Sequence, residues 1–400
     1  MSARLIAPLR DGSWLTPARL RVYPALVLAG WMILVGGWIV GSHGLIDRSG
    51  HVLGTDFLNV WAASAMTLDG QAAGIYDWAR HAAFERLVVG ADHPFYYGWH
   101  YPPLFLLVVW PLALLPYAGA LAVYLGATFP AYWTVLRRIF ADRRAAVAIL
   151  AFPGLWTNLL HGQNGFLTVG LLGGGLLLLE RRPWLAGALL GLLAYKPQFG
   201  LLLPLALVAG GHWRAVVAAA ASVVAAAGLS AAIFGLDAWR AFLASLGPTR
   251  TIIIEEGATG FAKIQSVFAA VRLLGGGATL AWSLQAAALL AVAALIVVLW
   301  RGTAPMAVKA AALVAAIPLS TPYVLDYDLV MLALPIAWLA AEGDRTGFRP
   351  WEKTLLAALW VLPMIARQVG DHVALPLTPV ALAAALALLI RRAAIPAAPG

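Results

Sequence analysis

The chain has 400 residues, of which 62% are hydrophobic and 11% are charged, and its mean hydropathy is +0.84. A soluble domain has about 45–50% apolar and about 25% charged residues, so this chain lacks the polar side chains needed to cover a water-exposed surface. The composition predicts a polytopic membrane protein and excludes a disordered chain or a collagen-like fibre. The absence of cysteine excludes disulfides, cysteine-bound metals and thiol catalysis.

The net charge of +9 is distributed in a way that favours a membrane. Arginine and lysine fall in short clusters between apolar runs, which is typical of cytoplasmic loops that lie beside anionic lipid. We therefore expect membrane lipids, and no nucleic acid, among the partners of the protein.

Apolar runs recur along the whole chain, and many approach the ~20 residues that cross a bilayer. They cover roughly residues 23–40, 103–115, 118–136, 145–160, 165–180, 184–195, 197–210, 214–234, 279–300, 306–320, 327–341, 354–366 and 373–390. Two polar stretches, 41–102 and 235–278, are too long for simple turns. We expect one integral membrane domain over 1–400, in which these stretches form the first and second outer loops.

The first apolar run follows four arginines, and no clear small-x-small cleavage site comes after it, so we expect a retained anchor. These arginines are Arg4, Arg10, Arg19 and Arg21. They place the N-terminus in the cytoplasm and stretch 41–102 outside. The next basic cluster, Arg137, Arg138, Arg143 and Arg144, should then lie inside again.

Because stretch 41–102 lies outside and the next basic cluster inside, residues 103–136 must make one net crossing. Run 103–115 would be only about 20 Å long as a helix and is bracketed by prolines, so a re-entrant segment is expected there. With a re-entrant segment at 103–115, the chain makes about twelve crossings and both termini lie in the cytoplasm. The alternative is two true crossings here and one fewer later in the chain.

The first outer loop contains two segments, 57–68 and 77–90, whose aromatic and aliphatic residues fall near one helical face. Helices of this kind lie in the membrane interface, so we expect amphipathic juxtamembrane helices. They suit a site that handles lipid at the outer leaflet; interfacial packing without a substrate role explains the pattern equally well.

Asp56 follows the first span and opens the first of these segments. A carboxylate near the bilayer boundary can take a proton from a hydroxyl, since partial desolvation raises its basicity. The alternative is a structural N-cap, because aspartate is favoured at that position.

Three later polar breaks fall on the same outer side in the twelve-crossing topology. His161, Gln163 and Asn164 interrupt two apolar runs, and such groups at a helix break bind sugars or head groups or face water in a turn. Lys196 stands alone in an apolar stretch, where it either binds a phosphate or extends its ammonium to the head groups.

The third break contains two acids and two phenols, and hydrogen bonding to a hexose is the favoured interpretation. Its candidate residues are Tyr323, Asp326 and Asp328. The acids point in different directions on a helix and no histidine accompanies them, so we expect no metal site. In the second outer loop, Lys263 either assists phosphate binding or belongs to a solvated surface.

Some other patterns point to packing or exclude chemistry. The glycine pairs 37/41, 170/174 and 187/191 have the small-xxx-small spacing of helix packing. The chain has no Walker loop, dinucleotide fingerprint, HExxH or GxSxG element, which disfavours nucleotide hydrolysis and zinc proteolysis.

An ordered set of short motifs resembles glycosyltransferase family 87, polytopic transferases of the GT-C class related to the mycobacterial polyprenol-phosphate-mannose-dependent mannosyltransferases. The motifs are Asp56-Phe57 to Trp61-Ala62-Ala63 with Gly70 and Tyr76, Tyr101-Pro102-Pro103-Leu104, Pro111 to Pro116, Gly162-Gln163-Asn164, Ala186-Gly187 to Lys196-Pro197, and Thr321-Pro322 to Asp326-Tyr327-Asp328-Leu329. They cover roughly residues 54–335.

The resemblance implies a GT-C-like helical bundle that transfers a sugar, with inversion, from a polyprenyl-phosphate donor to a lipid or glycan acceptor outside the plasma membrane, without a cofactor. The acid after the first span is the family's proposed general base and matches Asp56. Some relatives carry a histidine in the last motif, where this chain has Tyr327 or Asp328, which suggests a different donor head group or acceptor.

On this hypothesis Lys196 and Lys263 hold the departing phosphate. The groups that orient sugar and acceptor are His161, Gln163, Asn164, Tyr323, Asp326 and Asp328. Two alternatives from other classes stay open. A transporter or lipid flippase would have polar groups near the bilayer midplane and an internal repeat; a structural subunit of an envelope assembly would have no chemistry.

Overall fold

The computed structural model describes residues 3–90, 93–143 and 145–394, with side chains from residue 6 onward. Arg144 and the side chain of Arg4, both used in the topology argument, lie outside the described residues. Within these ranges the chain is helical and has no strand, although isolated antiparallel bridges occur within loop 43–52 and between Ile264 and Leu325. The all-α class is confirmed.

The first part of the chain contains six α-helices joined by short 3₁₀ turns. The helices are α1 (Ala3–Asp11), α2 (Pro17–Gly41), α3 (Phe57–Leu68), α4 (Trp78–Val89), α5 (Leu106–Val109) and α6 (Tyr117–Ile139), and the turns are Ala72–Tyr76, Pro103–Phe105 and Leu112–Leu114. Apolar segment 103–114 is therefore a series of short turns, because its prolines interrupt helical hydrogen bonding.

The middle part adds eight helices, and the second polar stretch proves to be largely helical. These are α7 (Ala145–Leu150), α8 (Pro153–Leu160), α9 (Gly165–Leu178), α10 (Pro183–Leu192), α11 (Leu203–Ala209), α12 (Trp213–Phe234), α13 (Leu236–Pro248) and α14 (Val267–Leu273), with 3₁₀ turns Leu193–Tyr195 and Pro197–Gly200 and a π-helical turn Thr249–Glu255.

Five helices complete the described chain. They are α15 (Ala278–Arg301), α16 (Met306–Ser320), α17 (Ala333–Thr346), α18 (Glu352–Val373) and α19 (Leu377–Ala394), with the 3₁₀ helix Asp326–Leu332 between α16 and α17. The middle of the core is formed by α16 and by that 3₁₀ helix, in which every residue is buried.

Within the described ranges, α2, α6, α12, α15 and α19 are long and apolar enough to cross a membrane. Several further apolar helices of 10–17 residues pack among them. A multi-pass membrane protein is therefore supported, whereas the number of about twelve crossings stays a prediction.

The interfacial position of the helices in the first outer loop stays a prediction. Eight of the twelve residues of α3 are buried, because this helix packs against α4, α5, α6 and the neighbouring 3₁₀ turns. Helix α4 turns its hydrophobic Leu87 outward, at 72% exposure, and buries two polar side chains instead.

Small residues allow α10 to approach α12 closely. A Cβ atom added at Gly187 would lie 2.2 Å from the carbonyl oxygen of Ala215, and one at Gly191 would lie 2.1 Å from Oγ of Ser222. This pair and Gly170 serve helix packing as predicted. The prediction is wrong for Gly37, where nothing among the described atoms lies within 4 Å of an added Cβ.

Candidate active site

Asp56 lies directly before α3, after Gly54 in the left-handed region at φ +76°. The backbone of Asp56 is helical, and among the described atoms its carboxylate makes no capping hydrogen bond. A capping residue usually has extended backbone, so the interpretation of Asp56 as an N-cap is wrong. The carboxylate oxygens point instead to side chains from distant parts of the chain.

The turn between α8 and α9 packs onto the start of α3. The amide of Phe57 donates to the carbonyl of His161 at 3.2 Å. Gly162 has φ +59°, and a Cβ there would lie 2.6 Å from Cβ of Phe57. Only glycine tolerates both the positive φ and this close approach, so the turn brings Gln163 to Asp56.

A short hydrogen-bonded chain holds Gln163 in place. Its Nε2 donates to Oδ2 of Asp56 at 3.2 Å, and its Oε1 accepts from the hydroxyl of Tyr101 at 3.0 Å. All three side chains are buried. This orients the amide so that its N–H faces the carboxylate.

Lys263 reaches Asp56 from the second polar stretch. An isolated antiparallel bridge pairs Ile264 with Leu325, and the amide of Asp326 donates to the carbonyl of Lys263 at 3.0 Å. The ammonium Nζ lies 3.8 Å from Oδ2 of Asp56. The separation is longer than a hydrogen bond, so this is a loose ion pair.

Lys196 forms a much tighter ion pair with Asp328. Its Nζ lies 2.6 Å from Oδ1, and both side chains are at least 95% buried. The other oxygen of Asp328 accepts from the amide of Leu325 at 3.0 Å. Lys196 is thus already compensated by a carboxylate.

The ring of Tyr327 lies near both lysines. Its centroid lies 5.5 Å from the ammonium of Lys196 and 5.6 Å from that of Lys263. The imidazole of His161 lies 5.4 Å from the same ring. These groups form one continuous site around Asp56.

Asp56 is ionised at neutral pH. Burial alone raises the pKa of its carboxyl, but the positive charge of Lys263 and the hydrogen bond from Gln163 outweigh burial and lower the pKa below its ordinary value. The site therefore holds a buried carboxylate ready to accept a proton.

Three other predicted residues, Asp326, Tyr323 and Asn164, have different surroundings. Asp326 accepts from Arg367 at 3.0 Å and from the amide of Tyr327, so its oxygens are engaged away from Asp56. Tyr323 is half-buried, with its ring 6.3 Å from that of His100. Asn164 is fully buried, and neither of its side-chain polar atoms has a partner among the described atoms.

Tyr101 and Tyr327 are the residues that sequence reasoning missed. Both belong to motifs that it quoted, yet a tyrosine before two prolines or between two acids gives no signal of its contacts. Among the described side chains, no group of three or more His, Asp or Glu is placed to hold a metal ion.

The sequence profile of glycosyltransferase family 87 matches residues 99–322, more than half of the chain. The matched region contains Tyr101, Gln163, Lys196 and Lys263, and Asp56 precedes it. A polyprenol-phosphate-mannose-dependent alpha-(1-2)-phosphatidylinositol pentamannoside mannosyltransferase of Mycolicibacterium smegmatis is 30% identical over 204 residues. That alignment covers 48% of this chain and 46% of the relative, so the chain spans about half the length of that relative. No solved structure gives a significant match.

Proposed function

This chain belongs to glycosyltransferase family 87, and we propose that it moves a mannose-like hexose from a polyprenyl-phosphate donor to a lipid or glycan acceptor. The resemblance found in the sequence is thereby confirmed at the level of the family. The observation that carries the proposal is the ionised Asp56 carboxylate, buried beside Gln163 and Lys263. The transporter and the structural subunit lose support because the family consists of transferases.

In the proposed reaction Asp56 is the general base. It takes the proton of an acceptor hydroxyl while the oxygen attacks the anomeric carbon of the donor sugar. The bond from that carbon to the phosphate oxygen breaks, and its electron pair leaves with the lipid phosphate, so the configuration inverts. Gln163 keeps one carboxylate oxygen in place during this step.

Lys263 is proposed to receive the donor phosphate. Its side chain is 16% exposed and its contact with Asp56 is loose, so the ammonium can move to a phosphate oxygen. Lys196 also lies near the ring of Tyr327, where its ion pair with Asp328 holds it in place. Positive charge fixed near the leaving group stabilises the charge that develops there.

The remaining predicted residues are proposed to orient sugar and acceptor. Asn164 is the best supported, because its buried amide lacks partners that sugar hydroxyls can supply. His161 donates from Nδ1 to the carbonyl of Thr157 at 2.9 Å, which leaves Nε2 as an acceptor. Tyr323 lies at the edge of the site, and Asp326 and Asp328 act through Arg367 and Lys196.

The proposed location is the plasma membrane, with the site facing its outer side. The positive-inside distribution and the polyprenyl carrier support this placement. The side of the membrane can be tested with single cysteines, introduced near Asp69 or near Arg181 into this cysteine-free chain. A membrane-impermeant maleimide should label the first in intact cells and the second only after lysis.

The central test uses membranes that contain the full chain and a radiolabelled polyprenyl-phosphate mannose. Asp56→Asn should abolish label transfer, because the amide cannot take the proton. The matched control is Asp77→Asn at the exposed N-cap of α4, where asparagine caps as well. Normal transfer by Asp56→Asn, with both variants present at equal levels, would remove the base and with it the proposal.

A further inference from the structure

Helix α4 buries the side chains that a helix at a membrane surface normally exposes. His81 is fully buried and Glu85 is 1% exposed, whereas Leu87 on the same helix is 72% exposed. Histidine and glutamate are rarely buried without a specific partner. This reversed face indicates that the two groups have a task inside the protein.

The contacts of the pair are directional. The amide of Tyr97 donates to both carboxyl oxygens of Glu85, at 3.3 and 3.2 Å. Nε2 of His81 lies 3.2 Å from the carbonyl oxygen of Asn59 on α3. A carbonyl only accepts, so this nitrogen carries a proton, and Nδ1 lies 3.6 Å from Oε1 of Glu85, beyond hydrogen-bond distance.

The pair needs one proton more than a neutral histidine and an ionised glutamate carry. An ionised Glu85 beside a neutral His81 would be a buried charge that, in the part of the chain that the structure describes, makes no ion pair with lysine or arginine. Burial raises the pKa of Glu85 to about 8 and lowers that of His81 to about 4, so the proton resides on Glu85. The other titratable groups around the pair are Asp56, Asp77, Arg86, Tyr96, Tyr97, His100 and Tyr117.

The pair is connected to the active site through the segment 93–101. Glu85 holds this segment at Tyr97, and four residues later the hydroxyl of Tyr101 donates to Gln163, which in turn donates to Asp56. Displacing the segment would therefore withdraw the group that orients the base.

We propose that Glu85, in a neutral pair with His81, is a positioning residue that holds segment 93–101 against α3 and α4 and thereby aligns Tyr101 and Gln163 with Asp56. The proposal rests on the proposed function for its effect on transfer, but not for the effect on the segment. Loss of the proton at alkaline pH creates a buried anion, which the negative charge of Asp56 disfavours, and loosens the segment.

The test compares the native protein with Glu85→Gln and Glu85→Leu. Glutamine reproduces the neutral acid, since its oxygen accepts from Tyr97 and its amide donates toward His81. It should keep the transfer rate at neutral pH and, unlike the native protein, should keep it at pH about 9, above the pKa of Glu85. Leucine removes the acceptor for Tyr97 and should lower transfer about 10²-fold at every pH. Glu256→Gln, at an exposed glutamate, is the matched control and should retain the native pH profile.

Hydrogen exchange measured by mass spectrometry on the purified full chain separates the two proposals. Peptides from 93–101 should lose protection between pH about 7 and 9 in the native protein but not in Glu85→Gln, at matched pH. An alkaline loss that Glu85→Gln leaves unchanged, in both assays, would overturn the positioning role. If the exchange difference is present while no protein transfers sugar, the positioning role holds and the proposed function fails.

Discussion

Two carboxylate–lysine pairs lie near the Tyr327 ring, and they differ in the distance between their charges and in their exposure. Lys196 and Asp328 are in contact at 2.6 Å with about 5% of each side chain exposed. Lys263 and Asp56 are 3.8 Å apart, and 16% and 10% of their side chains are exposed. The first pair is closed to a ligand and the second is open to one.

The difference indicates a division of labour. A tight buried pair keeps its charges fixed, because separating them leaves an uncompensated charge in an apolar interior. A loose pair exchanges its partner at little cost, since neither charge is fully satisfied. Lys196 with Asp328 is thus suited to fixing the wall of the site, and Lys263 with Asp56 to meeting substrates.

The largest expected effect comes from breaking the tight pair. Lys196→Met leaves Asp328 buried without its cation and should lower the free energy of unfolding by about 3–5 kcal/mol. Chemical denaturation of the detergent-purified protein measures this. The double variant Lys196→Met with Asp328→Asn should recover most of the loss, whereas equal losses in both would mean that the methionine itself is responsible.

Breaking the loose pair should affect transfer more than stability. Lys263→Met should lower the free energy of unfolding by less than Lys196→Met does, because the charges are 3.8 Å apart and the lysine is partly exposed. It should lower the transfer rate about 10²–10³-fold, since it removes the cation proposed to receive the phosphate. Lys263→Arg, which keeps the charge, should retain much more activity; equal loss in both variants would argue against an electrostatic role.

The same substitution should change the pH dependence of transfer in a defined direction. Lys263 lowers the pKa of Asp56, while burial raises it. Without the lysine the pKa rises, the carboxylate becomes protonated at higher pH, and the acid limb of the rate profile should move to higher pH. The rate profile of Lys263→Met, measured with excess enzyme to compensate for its low rate, checks this shift. An acid limb that moves to lower pH would contradict the assignment of the base.

The sequence predicted the helical membrane class and singled out Gln163 and Lys263, which contact Asp56, because both depend on composition and on polar breaks. It could not predict the pairing of Lys196 with Asp328, since their contact joins residues 132 positions apart. It also could not predict that α3 packs against other helices of this chain. The apolar stripe of that helix is the same for a helix that faces lipid and for one that packs inside a bundle.

The role of α4 illustrates a second limit. Its hydrophobic residues predicted an interfacial helix, but the side chains that position it are the buried His81 and Glu85. A sequence pattern shows where polar residues lie along a helix and not which of them find partners, so a reversed face becomes visible only in three dimensions.

A substitution in the turn between α8 and α9, which packs onto the start of α3, should have a smaller effect on stability and transfer. Gly162→Ala places a Cβ 2.6 Å from Cβ of Phe57 at a positive φ, so it should lower the free energy of unfolding by about 1–3 kcal/mol. It should also lower transfer, since Gln163 follows directly. Gly211→Ala, at φ +72° with open space around it, is the control for the backbone conformation alone. Equal destabilisation in both variants would show that contact with Phe57 contributes nothing.

The smallest effect should come from Tyr101→Phe, which removes one hydroxyl and keeps the ring beside Lys196. The lost hydrogen bond to Gln163 is worth about 0.5–1.5 kcal/mol, so transfer should fall by no more than about tenfold while folding is preserved. The reduction should appear in kcat, because Gln163 orients the base and does not bind the donor phosphate. Combining Tyr101→Phe with Gln163→Ala tests the coupling, since a hydroxyl that acts only through Gln163 has no further effect once that amide is gone. Additive losses in the double variant would instead place the hydroxyl in direct contact with a substrate.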